Sequence, residues 1–144
     1  MTSEIVDQVL DQKISWAKAL GVPEGVVEVF AVLGLQHYEQ GRLEDARVMF
    51  QAAVALDGTG YMGHAGLGVL ALVQDDLAAA EAHLRRAHAL NPHDTAVCCN
   101  LGEVMLRQGT PDQAKVFLSQ SVALDPGALD CYANRARGIL HAIP

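Results

Sequence analysis

Aromatic residues make up only 5% of this 144-residue chain, with one tryptophan, three tyrosines and three phenylalanines. Aromatic side chains are among the strongest strand formers, so a strand-rich fold is disfavoured. Alanine and leucine are abundant instead, and both are good helix formers. The length suits one domain, residues 1–144, that buries a proper core.

Positive charge is also scarce. Ten lysines and arginines stand against seventeen aspartates and glutamates, and the net charge is −7. The cations are scattered and form no basic stripe, which excludes nucleic acid as an expected partner. An acidic surface instead serves solubility or contacts basic groups on a protein.

Targeting and crosslinking signals are missing as well. The N-terminus has no basic segment followed by an apolar one, as a signal peptide would, and charges interrupt every stretch of 18 residues. The three cysteines, of which Cys98 and Cys99 are adjacent, suggest no disulfide framework. These features predict a cytoplasmic protein that does not insert into a membrane.

A 34-residue period is what the chain does contain. A Leu-Gly pair recurs with this spacing, followed each time by an alanine and then by a large apolar residue. The members are Leu33-Gly34, Ala46 and Phe50; Leu67-Gly68, Ala80 and Leu84; and Leu101-Gly102, Ala114 and Leu118. This pattern resembles the tetratricopeptide repeat, whose unit is a pair of helices.

The period predicts an all-α fold, a tetratricopeptide-repeat α-solenoid. Three helix-turn-helix repeats cover residues 27–60, 61–94 and 95–128. An N-terminal helix precedes them within residues 1–22, with a continuous helical stripe over 3–20, and residues 129–144 form a C-terminal capping helix. Because Gly34, Gly68 and Gly102 share one repeat position, we expect them where helices A and B approach too closely for a side chain.

In tetratricopeptide proteins, helix A of each repeat lines a concave inner wall. Counted from Val27, Tyr61 and Thr95, repeat positions 2, 5, 9, 12 and 13 face inward. They hold Glu28, Ala31, Leu35, Tyr38 and Glu39; Met62, Ala65, Val69, Leu72 and Val73; and Ala96, Cys99, Glu103, Leu106 and Arg107. This wall is mostly apolar, which predicts a groove for a partner. Two alternatives remain: the N-terminal helix covers the groove, or the inward assignment is one position off.

Apparent catalytic signals have simpler interpretations. Gly58 to Gly63 matches G-x-G-x-x-G, but it follows an amphipathic helix rather than a strand, so an inter-repeat turn is expected. The six histidines show no recognised metal-ligand spacing. We therefore expect no enzyme activity, no metal and no cofactor. A carboxylate-clamp groove would need more cations along helix A than Arg107 supplies.

Three stretches are similar to the class II chaperones of bacterial type III secretion, which hold translocator proteins before export. They are Ala31 to Phe50, Gly66-Leu67-Gly68, and Glu103 to Gly109, which is similar to that family's E-x-L-L-x-x-G. The likeness extends over residues 24 to 142 and includes the order of helices. It implies a cytoplasmic chaperone that binds an extended apolar segment of a translocator, or of a needle-tip or filament subunit. A general interaction scaffold without chaperone duty is the alternative.

The resemblance implies specific binding and dimer residues. Carried over by position, the groove residues are Leu35, Tyr38, Met62, Val69, Leu72, Val73, Cys99, Glu103 and Leu106, and the wall count adds Ala65. Many family members dimerise through the N-terminal helix and first repeat, so Ile5, Val9 and Trp16 are the expected homodimer contacts. The same helix alternatively caps the first repeat.

Overall fold

The computed structural model describes residues 2–11, 14–23 and 25–144, and over these ranges the chain is helical without strands. The predicted all-α class is confirmed. The helices are α1 (Ser3–Leu10), α2 (Trp16–Ala19), α3 (Val26–Glu39), α4 (Leu43–Leu56), α5 (Tyr61–Val73), α6 (Leu77–Leu90), α7 (Thr95–Arg107), α8 (Pro111–Ala123) and α9 (Cys131–Ala142). They group into two compact units, Met1–Leu67 and Gly68–Pro144.

The N-terminal segment forms two short helices, so the predicted single helix over residues 3–20 is wrong. Helix α1 ends at Leu10, and α2 begins at Trp16. Ser15 has an extended backbone, and its hydroxyl accepts a hydrogen bond from the Lys18 backbone N–H at 3.2 Å. A serine that caps a new helix competes with continuation of the preceding one. The apolar residues keep a helical spacing across the break between α1 and α2, so the sequence pattern does not indicate it.

The first unit is built around the pairing of α3 with α4. Gly34 on α3 faces Phe50 on α4, and a Cβ placed on Gly34 would lie 2.7 Å from the phenyl ring. Ala46 and Ala53 are buried beside Phe50. The predicted close approach of helices A and B is therefore confirmed in this repeat.

The second unit repeats this contact twice. A Cβ on Gly68 would lie 2.6 Å from Leu84 Cγ, and one on Gly102 would lie 2.5 Å from Leu118 Cγ. Both leucines are fully buried. Helix α9 packs on α7 and α8, as the predicted C-terminal helix should.

The turn between helices A and B uses the same backbone conformation in each repeat. Gly41 and Gly109 have φ of +74° and +78°, and Asp75 occupies the equivalent position with φ of +60°. Glycine adopts this left-handed conformation without strain, and aspartate tolerates it better than most residues. The middle repeat thus keeps the turn geometry without its glycine.

Asp125 organises the connection into α9. Its carboxylate accepts hydrogen bonds from the backbone N–H groups of Asp130 at 3.0 Å and Leu129 at 3.2 Å, and it contacts Arg137 at 3.5 Å. These donors, the Asp130 N–H foremost, lower the pKa of the Asp125 carboxyl.

Among the described helices, none is both long and apolar enough to cross a lipid bilayer.

Candidate peptide-binding site

The first unit contains four of the predicted binding residues. Leu35 is exposed, and Tyr38, Met62 and Ala65 are half-buried. Leu35 and Tyr38 lie in the last two turns of α3, whereas Met62 lies at the start of α5. Of the four, Met62 lines an apolar pocket of this unit.

That pocket opens where the start of α3, the end of α4 and the start of α5 meet. Its volume is about 130 Å³, and its wall is mainly apolar. A Cβ on Gly63 would lie 2.8 Å from Val54, so the start of α5 lies close against α4. The lining residues are Val27, Glu28, Ala31, Ala53, Asp57, Gly60, Tyr61, Met62 and Gly63.

The size of the pocket limits what it can hold. An engineered apolar cavity of about 150 Å³ holds benzene, so a volume of about 130 Å³ suits one aliphatic side chain. Four small lining residues, Ala31, Ala53, Gly60 and Gly63, carry little or no side chain and so leave this space open. Counting repeat positions along helix A predicted Ala31 and Met62 as inward residues. The count did not predict that α4 and the α4–α5 connection also line the pocket.

Two carboxylates border the pocket. Glu28 is exposed at its α3 side. Asp57 follows α4, and its Oδ1 accepts hydrogen bonds from the Thr59 N–H at 2.9 Å and the Thr59 hydroxyl at 2.5 Å. Within the described ranges of the chain, neither carboxylate pairs with a lysine, arginine or histidine. The pocket therefore has an apolar interior and a negative rim.

The second unit contains the other six predicted residues, and their exposure differs. Val73 is 54% exposed, and Val69 and Leu106 are half-buried. Leu72 is 6% exposed and Cys99 is fully buried, so the chain's own packing covers both. Burial is the main reason that the pKa of the Cys99 thiol is raised to about 11.

Glu103, the sixth residue, lies at the centre of an ionic network. Its carboxylate accepts a hydrogen bond from Arg107 Nη2 at 2.7 Å and a second hydrogen bond from Arg135 on α9. Arg107 also contacts the Asp75 carboxylate and the Leu72 carbonyl oxygen, both at 3.4 Å. Sequence reasoning missed Arg135 and Asp75 because each lies 32 residues from its partner.

The remaining sequence signals fit structural roles. Gly58 and Gly60 lie in the connection that follows helix α4, which is not the strand that a dinucleotide fingerprint requires. His88 contacts Gln120 at 3.1 Å and packs edge-on against Phe117. Across the part of the chain that the structure describes, no three histidine, cysteine or carboxylate side chains converge as a metal site would need.

The predicted dimer residues lie in the first unit. Val9 on α1 is buried, Ile5 is half-buried, and Trp16 on α2 is 38% exposed. Other large apolar side chains of this unit are exposed nearby in the sequence, namely Leu10, Leu20, Val26, Val29, Val32 and Leu33.

Two family models described as tetratricopeptide repeat match the sequence, one over residues 71–137 and one over residues 27–52. They confirm the predicted repeat fold. A comparison with curated proteins gives no significant match.

Solved structures with the same fold include type III secretion proteins. The translocator chaperone SycD of Yersinia enterocolitica is 21% identical, the match covers 90% of this chain and 98% of that chain, and the TM-score is 0.76. A T3SS complex from Aeromonas hydrophila gives 19% identity, 97% and 95% coverage, and a TM-score of 0.82. PcrH, a Pseudomonas aeruginosa protein solved in complex with the chaperone binding region of PopB, gives 24% identity, 83% and 98% coverage, and a TM-score of 0.71.

Proposed function

We propose that this tetratricopeptide-repeat chain, which resembles the translocator chaperones of bacterial type III secretion, is itself a cytoplasmic secretion chaperone. It binds an extended apolar segment of a secreted translocator, needle-tip or filament protein and keeps that protein soluble before export. The observation that supports this most directly is the apolar pocket of about 130 Å³ between α3, α4 and α5. The binding of PcrH to a region of PopB supports the class of partner.

The pocket would take one aliphatic side chain of the partner. Burying such a side chain contributes about 1.5–3 kcal/mol, whereas a micromolar complex needs about 8 kcal/mol. The partner segment must therefore make further contacts, and within the same unit the predicted residues Leu35 and Tyr38 offer them. Val69, Val73 and Leu106 are the proposed binding residues that remain accessible in the second unit. Binding then lowers the concentration of the free, aggregation-prone partner by mass action.

The charge at the rim adds a preference for the neighbouring residue. Glu28 and Asp57 border the pocket without a cationic partner in the described chain. A lysine or arginine next to the buried aliphatic residue would therefore pair with a carboxylate at the rim. Such exposed pairs are weak, about 0–1 kcal/mol, but they disfavour an acidic residue at the same place.

A second copy of the chain would cover the exposed apolar residues of the N-terminal segment. Trp16, Leu20 and Leu10 are exposed on or beside α1 and α2. We propose that they, with the half-buried Ile5, contribute to a homodimer, whereas the chain's own packing already covers the predicted contact Val9.

The test is co-expression with the translocator-type proteins encoded in the same genome. We expect the soluble fraction of one such partner to rise severalfold when the chain is present, and the two proteins to co-purify. In this assay Val73→Glu should weaken binding about 5- to 150-fold, because an unpaired polar group buried by the partner costs about 1–3 kcal/mol.

Val116→Glu is the matched control. Val116 lies on α8 outside the predicted site and is 64% exposed, against 54% for Val73. It should leave both binding and helical content unchanged. Leu72→Glu is a poorer probe, because Leu72 is 6% exposed and a charge there would enter the core. Equal binding by the Val73 and Val116 variants would contradict the assignment of the binding face.

A general interaction scaffold is the second candidate, since the tetratricopeptide fold alone does not specify chaperone duty. The same assay separates the two functions. A scaffold's partner stays soluble when expressed alone, whereas a chaperone's partner aggregates without it.

A further inference from the structure

Two cysteines lie on neighbouring helices of the second unit, Cys99 on α7 and Cys131 at the first position of α9. Both are free thiols, and Cys99 is fully buried whereas Cys131 is exposed. Helix α9 packs on α7, and its fully buried side chains are the small residues Ala133 and Ala136, which allow a close approach. The peptide-binding role proposed above gives neither thiol a chemical task.

An ion pair fixes the register between α7 and α9. Arg135 on α9 contacts the Glu103 carboxylate on α7 and lies 32 residues after it. Another contact between successive repeats, the one between Arg107 and Asp75, has the same separation. Moving back four residues on each helix, about one turn, leads from Glu103 to Cys99 and from Arg135 to Cys131. The two thiols therefore lie one turn before the ion pair, on the same side of the same two helices.

The electrostatic surroundings of Cys99 agree with this placement. Burial is the main reason that the pKa of its thiol is raised to about 11. Arg135 lowers this pKa, whereas Glu103, Asp130 and the Cys131 thiol raise it further. The groups that act on the Cys99 sulfur thus belong to the ion pair and to the start of α9, where Cys131 lies.

Cys98 precedes Cys99 on α7 but has a different environment. Its thiol donates to the Pro92 carbonyl oxygen at 3.8 Å, in the connection that precedes α7. Consecutive residues of an α-helix point about 100° apart around the helix axis. Cys98 is therefore directed to the start of its own helix, and it provides an internal control for Cys99.

We propose that Cys99 and Cys131 form a redox-sensitive disulfide, which ties α9 to α7 when the chain meets a small-molecule disulfide such as oxidised glutathione. Cytosolic proteins keep most of their thiols reduced, and the disulfides that form there are usually transient and respond to oxidation. The exposed Cys131 is accessible to the oxidant, and the buried Cys99 displaces the adduct. This role is independent of the peptide-binding function.

The bond forms in two thiol–disulfide exchange steps. The Cys131 thiolate attacks one sulfur of oxidised glutathione, the disulfide of that molecule breaks, and one glutathione thiolate leaves. The Cys99 thiol then gives up its proton, and its sulfur attacks the Cys131 sulfur of the mixed disulfide and displaces the second glutathione. Two protein thiols are oxidised to one disulfide, and one molecule of oxidised glutathione is reduced to two thiols.

Mass spectrometry of the oxidised chain tests this sequence of steps. The reduced full-length chain is incubated with oxidised glutathione, its remaining thiols are alkylated, and it is digested with trypsin without reduction. Trypsin separates the two cysteines, because residues 87–107 contain Cys99 and residues 116–135 contain Cys131. We expect a glutathione adduct on Cys131 first and a crosslink between the two peptides later. The second step is the slower one, because the raised pKa of Cys99 leaves little of it as thiolate.

Cys98→Ala is the matched control for Cys99→Ala, since the two residues are adjacent and both are fully buried. Cys98→Ala should form the crosslink as the wild-type chain does, whereas Cys99→Ala should keep the glutathione adduct on Cys131. Three outcomes would overturn the proposal: a crosslink that survives Cys99→Ala, a stable adduct on wild-type Cys131, or a bond between the Cys131 residues of two chains.

A second measurement on the wild-type chain does not depend on how any variant folds. A disulfide that closes a loop of about 30 residues restricts the unfolded chain, so the melting temperature should rise by roughly 5–10 °C on oxidation. Dithiothreitol should reverse the rise, and Cys131→Ser treated in the same way should show none. If the oxidised chain melts at or below the temperature of the reduced chain, the native packing of α7 and α9 does not accommodate the bond and the proposal is wrong.

Discussion

Replacing Gly102 with alanine tests the packing rule on which the repeats depend. The new Cβ would lie 2.5 Å from Leu118 Cγ and 2.6 Å from Leu118 Cδ2, closer than side-chain carbons approach one another. Leu118 is fully buried on α8 and has no solvent space into which it can move. The α7–α8 pair must therefore separate, or the leucine must leave its preferred rotamer.

The size of the effect follows from two opposing contributions. Overpacking a core by about one methyl group costs about 1–3 kcal/mol. Alanine in place of glycine inside a helix contributes about 1 kcal/mol in the other direction. We therefore expect Gly102→Ala to lower the free energy of unfolding by about 1 kcal/mol, which is a fall of about 2–4 °C in melting temperature for a chain of this size.

Gly138→Ala is the matched control, since Gly138 lies inside α9 of the same unit. Nothing lies within 4 Å of its added Cβ. Only the gain in helix propensity remains, so this variant should be stabilised by about 0.5–1 kcal/mol. Thermal and urea unfolding followed by far-UV circular dichroism would measure both changes.

The two substitutions are chemically identical and should move stability in opposite directions. If Gly102→Ala stabilises the chain as Gly138→Ala does, the close approach of helices A and B is not what requires glycine. In a Leu118→Ala background the clash disappears, and Gly102→Ala should become neutral or stabilising. Gly68→Leu should be more damaging than Gly102→Ala, because a whole side chain would meet Leu84.

Two further predictions concern the cysteines and the N-terminal segment. At pH 8 an alkylating reagent should modify Cys131, which is exposed. Cys98 and Cys99 should react only after unfolding, because burial raises the pKa of both thiols to about 11. Mass spectrometry of the native and the denatured chain measures this, and rapid labelling of all three cysteines in the native chain would contradict it. Deleting residues 1–20 should convert a dimer into a monomer and so about halve the mass measured by light scattering, because the deletion removes Ile5, Val9 and Trp16. A monomer mass for both the full-length and the truncated chain would mean that the segment only caps the first repeat.

The repeat fold could be predicted well from the sequence, because the close approach of helices A and B depends on single residues at a fixed spacing. Gly34, Gly68 and Gly102 each face the large residue that follows sixteen positions later, and three identical contacts produce one visible period. The start of α8 at Pro111 and the helix at the C-terminus were predictable for similar reasons, from local signals. No long-range information was needed for these features.

The interruption of the N-terminal segment could not be predicted in the same way. The apolar residues of positions 3–20 keep a helical spacing through the break between α1 and α2. Ser15 can face solvent in a continuous helix or cap a new one, and spacing does not distinguish these options. Asp75 raises the same difficulty, because a left-handed backbone at a residue other than glycine leaves a weak signal in the sequence.

The candidate site was only partly predictable because side-chain depth depends on neighbouring helices. Repeat numbering treats Leu72, Val73 and Cys99 alike, yet Val73 is exposed and the other two are buried. The pocket of the first unit likewise needs Ala53 and Gly60 from outside helix A. Counting repeat positions along the sequence identifies which face of a helix points inward. The packing of the neighbouring element then determines how much of that face stays exposed to solvent.

The pocket and the repeat packing both depend on small residues, but these residues have different roles in the two places. Small residues let the helices of this fold approach closely, and Gly63 does so where α5 meets Val54 on α4. The small residues Ala31 and Gly60 border the same junction but leave it unfilled, which creates a volume of about 130 Å³. A larger residue at either position would close the pocket without serving the contacts of Gly34, Gly68 and Gly102. The open space is therefore not imposed by the repeat, and its retention in an otherwise close-packed fold is the strongest physical reason to assign it a ligand.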